Sequence, residues 1–96
     1  MKKPVAVCPV TKVALLLSDT WTMLILHFLI EGPKGFCELE RALNGISTRT
    51  LTLKLGKLIT EGLLIQTKKG LYKATRRGRG IRIIENAMKR YQKDYL

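Results

Sequence analysis

The sequence contains few acidic residues: seven Asp and Glu stand against eighteen Lys and Arg, for a formal net charge of +11 at pH 7. A cationic excess of this size is typical of proteins that bind a polyanion, such as DNA, RNA or an anionic membrane surface. The remaining interpretation is a soluble protein that is merely cationic, or one from a cytoplasm of unusual composition.

Long apolar runs are also missing. The longest largely apolar stretch, residues 21–30, is interrupted by His27 and is about half as long as the ~20 residues of a membrane-spanning helix. Lys2 and Lys3 resemble the charged start of a signal peptide, but Pro4 and Pro9 enclose too short an apolar segment. We therefore expect a cytoplasmic protein with no signal peptide and no membrane partner.

Histidine and cysteine are scarce, with one His and two Cys in the chain. No Cys-x-x-Cys pair is present, and two isolated thiols do not form a zinc site. The sequence also lacks a Gly-rich phosphate loop, a paired nucleophile and base, and clustered carboxylates. It therefore predicts no metal, no cofactor and no enzymatic activity, and it places His27 at the edge of the core or on partly exposed surface.

Apolar periodicity predicts a domain that is mainly α-helical. We expect an extended arm over residues 1–9 and one domain over residues 10–96, with short helices over residues 10–17, 21–30 and 37–43. Ser47 is predicted to cap a fourth helix that ends near residue 60. The side chains predicted to face inward on the third and fourth helices are Leu39, Ala42, Leu43, Leu51, Leu55, Leu58 and Ile59.

A small β-hairpin is predicted to follow these helices. Gly62 ends the fourth helix, and residues 63–67 and 71–74 suit two strands joined by a turn at residues 68–70. Short helices joined by tight turns and followed by a hairpin form a winged helix-turn-helix. In that fold the later helix of the motif is offered to the major groove of DNA.

The C-terminal segment is predicted to form one helix from Arg76 to Tyr95, capped by Thr75. Its apolar residues recur at alternating spacings of three and four, as in a coiled-coil seam. We expect this seam to form a homodimer interface, although the helix could instead fold back on its own domain. The predicted interface residues are Ile81, Ile84, Met88, Tyr91 and Tyr95.

Several motifs together resemble the HxlR-type winged-helix transcriptional regulators, which are relatives of the MarR group. They are CPV at Cys8, WTMLILHFL, GPKGFCELERAL, GISTRTLTLKLGKLITEGLL and TRRG. The resemblance covers nearly the whole chain, and the ordered block GIS.RTLT.KL..L...GL makes it specific. It implies a dimeric DNA-binding protein of bacterial or archaeal type, with the helix after Ser47 as recognition helix and the first and last helices as dimer interface.

The predicted recognition helix has a polar side made of hydroxyls and cations without an acid. Arg49 can bond to guanine or to a phosphate, while the threonines offer hydroxyls and methyls to phosphates and bases. Lys57 is equally well interpreted as a solvated cation. The predicted DNA contacts are Ser47, Thr48, Arg49, Thr50, Thr52, Leu53, Lys54 and Lys57 on the helix, with Lys68 and Lys69 on the wing.

The chain departs from the family pattern at three places. Leu53 stands where the family usually has a polar residue, so either it touches thymine methyls or the helix is slightly rotated. Gly56 lies within the helix, at a cost of about 1 kcal/mol relative to Ala. The wing is short, so we expect it to reach phosphates but hardly enter the minor groove.

A second basic cluster, formed by Arg76, Arg77, Arg79 and Arg82, either extends the phosphate contacts or only makes the dimer more soluble. The sequence leaves both interpretations open.

Cys8 occupies the position at which some HxlR-type regulators sense oxidants or electrophiles. Nearby Lys2, Lys3 and Lys12 would favour its thiolate, although an inert thiol is the alternative. Cys37 lies near the start of a helix whose dipole could also favour a thiolate, but we expect a small buried side chain. An intermolecular Cys8–Cys37 disulfide is left open.

The function predicted from the sequence is that of a dimeric, sequence-specific transcriptional regulator that binds double-stranded DNA, with a possible redox response through Cys8. One alternative is a non-specific architectural protein of chromatin type. Another is an adaptor that uses the winged helix to bind protein or RNA. RNA is disfavoured because the chain has only six aromatic residues.

Overall fold

The structure is a computed structural model that describes residues 8–17 and 19–96. These residues form six helices and two strands: α1 (Pro9–Leu16), α2 (Thr20–Ile30), α3 (Phe36–Ala42), α4 (Thr48–Thr60), β1 (Leu64–Gln66), β2 (Tyr72–Ala74), α5 (Arg76–Arg79) and α6 (Arg82–Tyr95). The predicted arm over residues 1–9 lies mostly outside the described residues. Helix α1 begins at Pro9, one residue earlier than predicted.

Helix α2 lies at the centre of the fold and packs against α3, α4, α5, α6 and β2. Ile25, Leu26 and Leu29 are no more than 2% exposed. Asp19 caps α2, and its side chain accepts a hydrogen bond from the Thr22 amide at 2.8 Å. A helix that is apolar nearly all round is buried in this way because each side needs a neighbour.

The helix-turn-helix consists of α3 and α4, joined by a turn at Gly45 with φ of 100°. Most of the side chains predicted to face inward are buried: Leu39, Leu43, Leu51, Leu55 and Leu58. The prediction is wrong for Ala42, which is exposed, and for Ile59, which is 37% exposed. Ile59 lies about 100° around the helix from Leu58, at the edge of the buried stripe.

The predicted hairpin is confirmed as an antiparallel pair in which Leu64 lies opposite Ala74. Gly70 closes the turn with φ of 83°, and its amide donates to the Thr67 carbonyl at 2.9 Å. Tyr72 also exchanges two main-chain hydrogen bonds with Lys34, at 2.7 and 3.0 Å. Lys34 thus adds one β-bridge to the hairpin. The sequence Gly-Pro-Lys-Gly around it predicted only a turn.

The single C-terminal helix predicted from Arg76 to Tyr95 is wrong. The chain forms α5 and α6 with a bend at Gly80 and Ile81. Thr75 caps α5 as predicted, and its side chain accepts from the Gly78 amide at 3.2 Å. The bend turns Ile81 into the core, where it is 5% exposed.

The predicted dimer seam is therefore shorter than expected. Ile81 is buried in the core of its own chain, and the partly buried Ile84 packs against that core. Met88, Tyr91 and Tyr95 remain 54%, 58% and 74% exposed. The exposed part of the seam thus starts near Met88, because the beginning of α6 packs on α2.

Within residues 8–17 and 19–96, no single helix is long and apolar enough to cross a membrane. Helices α1 and α2 reach the length and apolar composition of a membrane span only when they are taken together, and an angle of 83° separates them.

Gly78 is required by a close approach between α5 and Leu63, the residue before β1. A β-carbon at Gly78 would lie 2.2 Å from the Leu63 carbonyl oxygen. We expect Gly78→Ala to lower the free energy of unfolding by about 1–3 kcal/mol, because the backbone must move to make room. Urea unfolding followed by circular dichroism measures this change at one protein concentration.

Gly56→Ala is the matched control, because Gly56 is also helical and a β-carbon there meets no atom within 4 Å. It should raise stability by about 0.5–1 kcal/mol. Equal stability of Gly78→Ala and the native protein would contradict the close packing of α5 on Leu63.

Candidate nucleic-acid interface

Helix α4 turns one face to the core and the opposite face to solvent. Leu51, Leu55 and Leu58 are at most 2% exposed, so by helical geometry Arg49 and Leu53 lie on the opposite side. Leu53 is 62% exposed. Leu53 thus lies on the solvent-facing side of α4, which is compatible with both interpretations of this residue.

The hydroxyl groups around the N-terminus of α4 are bonded within the protein. Ser47 accepts from the Thr50 amide at 3.0 Å and donates to Thr50 Oγ1 at 2.8 Å. Thr48 donates to Glu40 Oε2 at 2.5 Å, and Thr52 Oγ1 donates to the Thr48 carbonyl at 2.9 Å. The hydroxyl hydrogens of Ser47, Thr48 and Thr52 are thus already bonded within the protein, whereas the Thr50 hydroxyl only accepts.

Glu40 on α3 brings a carboxylate to a helix that contains no acid of its own. A carboxylate near a helix N-terminus is favourable, because that end carries a partial positive charge. The negative charge of Glu40, however, repels a phosphate group that approaches Thr48. This contact was not predicted, because Glu40 belongs to α3 and not to the helix that carries Thr48.

Lys54 lies in an ion pair with Asp19, with 2.6 Å between Nζ and Oδ2. Burial opposes ionisation of Asp19, but hydrogen bonds from Lys54 and Thr22 outweigh it and lower the pKa of the carboxyl group. Both side chains are less than a third exposed. Lys54 is thus directed to the start of α2, whereas the sequence predicted a phosphate contact.

Four predicted cations remain available at the surface: Arg49, Lys57, Lys68 and Lys69 are all exposed. Among residues 8–17 and 19–96, Arg49 has no ion-pair or side-chain hydrogen-bond partner. Lys57 lies 3.9 Å from Glu61, a contact that contributes little at 53% exposure. Lys68 and Lys69 lie in the turn of the hairpin.

Two arginines of the second basic cluster donate hydrogen bonds to main-chain carbonyl groups of the protein. Arg77 Nη1 donates to the Glu61 carbonyl at 2.8 Å, and Arg79 Nη1 donates to the Ala74 carbonyl at 3.0 Å. Glu61 ends α4, and a cation stabilises the carbonyl end of a helix. The structure therefore gives these two arginines a role that neither interpretation of the cluster had included.

A groove of about 660 Å³ lies between α2 and α6. Its apolar walls include Met23, Leu24 and Met88. At its edge His27 Nδ1 lies 2.6 Å from Glu85 Oε2, and the His27 side chain is 42% exposed. The predicted place of His27 on partly exposed surface is confirmed.

Both cysteines are exposed. The backbone amides of Thr11 and Val10 lower the pKa of the Cys8 thiol by hydrogen bonding, at the start of α1. The predicted cause was cations, of which Lys2 and Lys3 lie outside the described residues. The burial expected for Cys37 is wrong, because the first turn of α3 faces solvent there.

Residues 16–96 match the HxlR-like helix-turn-helix family. The chain belongs to this family. An uncharacterised HTH-type transcriptional regulator of Synechocystis sp. is 35% identical over 94% of this chain and 71% of its own length. The resemblance drawn from the sequence motifs is thereby confirmed.

Solved structures of HxlR-like regulators share the fold. Quinone-bound YodB from B. subtilis has a TM-score of 0.84 and 26% identity, covering 92% of this chain and 100% of that one. The oxidised redox regulator HypR has a TM-score of 0.74 and 26% identity, covering 93% and 98%. The chain thus has the winged helix-turn-helix fold of transcriptional regulators.

The Asp19–Lys54 ion pair predicts a pH dependence of stability. The pKa of Asp19 in the folded state lies below its ordinary value of about 3.9, so its contribution is complete above that value. It is lost as the pH falls through the folded-state pKa. Asp19→Asn keeps a good helix cap but removes the charge, and should lower stability at pH 7 by about 1–2 kcal/mol.

The difference in unfolding free energy between the native protein and Asp19→Asn should shrink as the pH is lowered from 7 to 2.5. Asp94→Asn is the control: Asp94 is 46% exposed and 3.8 Å from Arg90. That exposed pair should change stability by less than about 1 kcal/mol. A difference for Asp19→Asn that stays constant across this pH range would contradict the predicted linkage.

Proposed function

We propose that the chain is a dimeric, sequence-specific DNA-binding transcriptional regulator, in which α4 enters the major groove. The observation that carries the proposal is the exposed face of α4, where Arg49 has no partner among the described residues and no acid lies in the helix. The overall charge of +11 supplies a general attraction for the duplex. Family membership supports the same conclusion.

Arg49 lies in the first turn of α4, the part of a recognition helix that contacts base edges. Its guanidinium group suits the O6 and N7 atoms of guanine. Lys57, Lys68 and Lys69 are exposed cations that suit phosphates. Lys54 reaches a phosphate only if its ion pair with Asp19 opens, so we rank it below the other cations as a contact.

Ser47, Thr48, Thr50 and Thr52 surround the N-terminal end of α4 and complete the proposed contact surface. The hydroxyl hydrogens of Ser47, Thr48 and Thr52 have partners in the protein, so these side chains would approach DNA through their oxygen lone pairs or methyl groups, whereas the Thr50 hydroxyl accepts from Ser47 and keeps its own hydrogen for a phosphate or base. Their proposed role is to set the distance of the helix from the backbone.

The proposed dimer forms through α1 and α6. Val10 and Leu15 on α1 are 76% and 66% exposed, and the exposed part of the α6 seam extends from Met88 to Tyr95. A small domain gains stability when a partner buries such apolar surface. Two recognition helices would then contact half-sites whose centres lie about 34–36 Å apart.

The alternative of a non-specific architectural protein differs in one measurable quantity, the ratio of specific to non-specific affinity. A regulator is expected to prefer its operator by ~10³ or more at physiological salt. An architectural protein is expected to bind all duplexes alike through phosphates, with the same steep dependence on salt.

Fluorescence anisotropy tests the proposal with the duplex upstream of the chain's own gene and a scrambled duplex, over a range of salt concentrations. Arg49→Ala should weaken binding to the native duplex about tenfold or more and reduce the preference over the scrambled duplex. Sedimentation of the same complexes should show two protomers per operator. Equal affinity for both duplexes at every salt concentration would contradict the proposal.

Arg90→Ala is the matched control for Arg49→Ala, because it removes the same charge from an exposed position on α6. Arg90 lies more than 100° around α6 from the seam formed by Met88 and Tyr91. It should leave both affinity and sequence preference nearly unchanged. An equal loss in both variants would indicate a general charge effect instead of a contact by Arg49.

Redox control through Cys8 is a second proposed property. The thiol is exposed, and the amides of Thr11 and Val10 lower its pKa, which increases the fraction of reactive thiolate at neutral pH. Among the HxlR-like neighbours, YodB is known in a quinone-bound form and HypR in an oxidised form. Cys8 lies beside Pro9 at the start of α1, so its modification would alter the proposed dimer surface.

The Cys37→Ser variant leaves Cys8 as the only thiol and allows its titration. The rate of alkylation by iodoacetamide should rise with a midpoint below the ~8.5 of an ordinary cysteine. Oxidation with diamide or a quinone should then change operator affinity in this variant but not in Cys8→Ser. An ordinary titration midpoint, or an equal response in Cys8→Ser, would contradict the role of Cys8.

A further inference from the structure

We propose that α4 reads thymine through its methyl group, with Leu53 as the specificity-determining side chain and the methyl of Thr52 beside it. This inference rests on the proposed function, since it assumes that α4 enters the major groove. It adds the kind of base that the centre of the helix selects.

The centre of the exposed face of α4 is apolar. Leu53 is 62% exposed and lies opposite the buried leucines, so packing within the described chain does not account for it. Gly56 follows on the same face, and a β-carbon there would meet nothing within 4 Å. Between Arg49 and Thr60, the side of α4 that helical geometry points away from the core thus carries Leu53 at its centre, flanked by Gly56 and Lys57.

The threonines beside this ridge add methyl groups more readily than hydrogen donors. Thr52 Oγ1 donates to the Thr48 carbonyl at 2.9 Å, and Thr60 Oγ1 donates to the Gly56 carbonyl at 3.0 Å. Because each hydroxyl hydrogen is bonded inside the helix, these two side chains offer only γ-methyl groups and oxygen lone pairs to a partner. The sequence has Thr at every second position from 48 to 52, which indicates a polar surface. The surface in the structure is less polar than that.

Thymine is the base that matches such a surface. Its 5-methyl is the one apolar group that an unmodified base pair presents in the major groove. A leucine placed against the amino group of cytosine or adenine would instead remove water from a donor and offer no acceptor. Leu53 therefore favours thymine by contact and disfavours the other bases by desolvation.

The position of Leu53 relative to Arg49 limits where the thymine lies. Four residues along a helix correspond to about 6 Å, which is less than two base-pair steps of about 3.4 Å. A thymine read by Leu53 should thus lie within about two base pairs of the base or phosphate that Arg49 contacts.

The experiment replaces thymine by deoxyuridine, which removes the methyl and leaves base pairing intact. Each thymine of the native duplex is replaced in turn, and affinity is measured by anisotropy. One or two positions per half-site should weaken binding by about fourfold each, the size expected for one buried carbon. In Leu53→Ala, the loss of affinity at the thymine that Leu53 contacts should fall below about twofold. In Thr52→Ser, the loss at the thymine that Thr52 contacts should fall in the same way.

Lys57→Ala is the control, because loss of a phosphate contact should weaken native and deoxyuridine duplexes alike and leave their ratio unchanged. Leu53→Asn tests whether the side chain at position 53 selects the base. Selection from a randomised half-site should move from thymine to adenine at the same position, since Asn pairs with N6 and N7 of adenine. Circular dichroism checks that each variant keeps the helix.

The possible outcomes separate the two levels of the proposal. No preference for the native over the scrambled duplex would overturn the proposed function itself. Sequence-specific binding that tolerates deoxyuridine at every position would overturn only the thymine contact. A penalty that persists in Leu53→Ala, with no change in selection for Leu53→Asn, would show that another side chain reads the methyl.

Discussion

The burial of α2 is the constraint on which the rest of the structure depends. With Ile25, Leu26 and Leu29 in the interior, α2 needs neighbours on all sides, and four helices and a strand of the hairpin provide them. This packing decides the rotation of α4 about its own axis. Because the leucines of α4 must face α2, Arg49 and Leu53 must face solvent.

The surface of α4 illustrates how tertiary contacts change the chemistry that a sequence presents. A lysine and several hydroxyls would offer many hydrogen donors to DNA, yet Lys54 is held by Asp19 and Thr48 by Glu40. The two acids come from elements on either side of α4. What remains exposed on α4 includes Arg49, Lys57 and the apolar Leu53, and in the proposed complex Leu53 would add discrimination between bases to the attraction of the cations for phosphate.

Features set by neighbouring residues could be predicted, and features set by distant contacts could not. The caps at Ser47 and Thr75 and the hairpin turn depend on a few adjacent residues, and all were confirmed. The close approach of Gly78 to Leu63, next to the break before α6, escaped prediction because the two residues are distant in sequence. The ion pair of Lys54 escaped for the same reason, since its partner lies 35 residues away.

The main-chain bridge between Lys34 and Tyr72 has a consequence for the motion of the wing. Two hydrogen bonds join the hairpin to the loop between α2 and α3, in addition to its pairing along β1. The hairpin cannot swing as an independent arm without breaking them. We therefore expect the wing and the helix-turn-helix to move together, so that the proposed DNA complex would cost little conformational entropy of the wing.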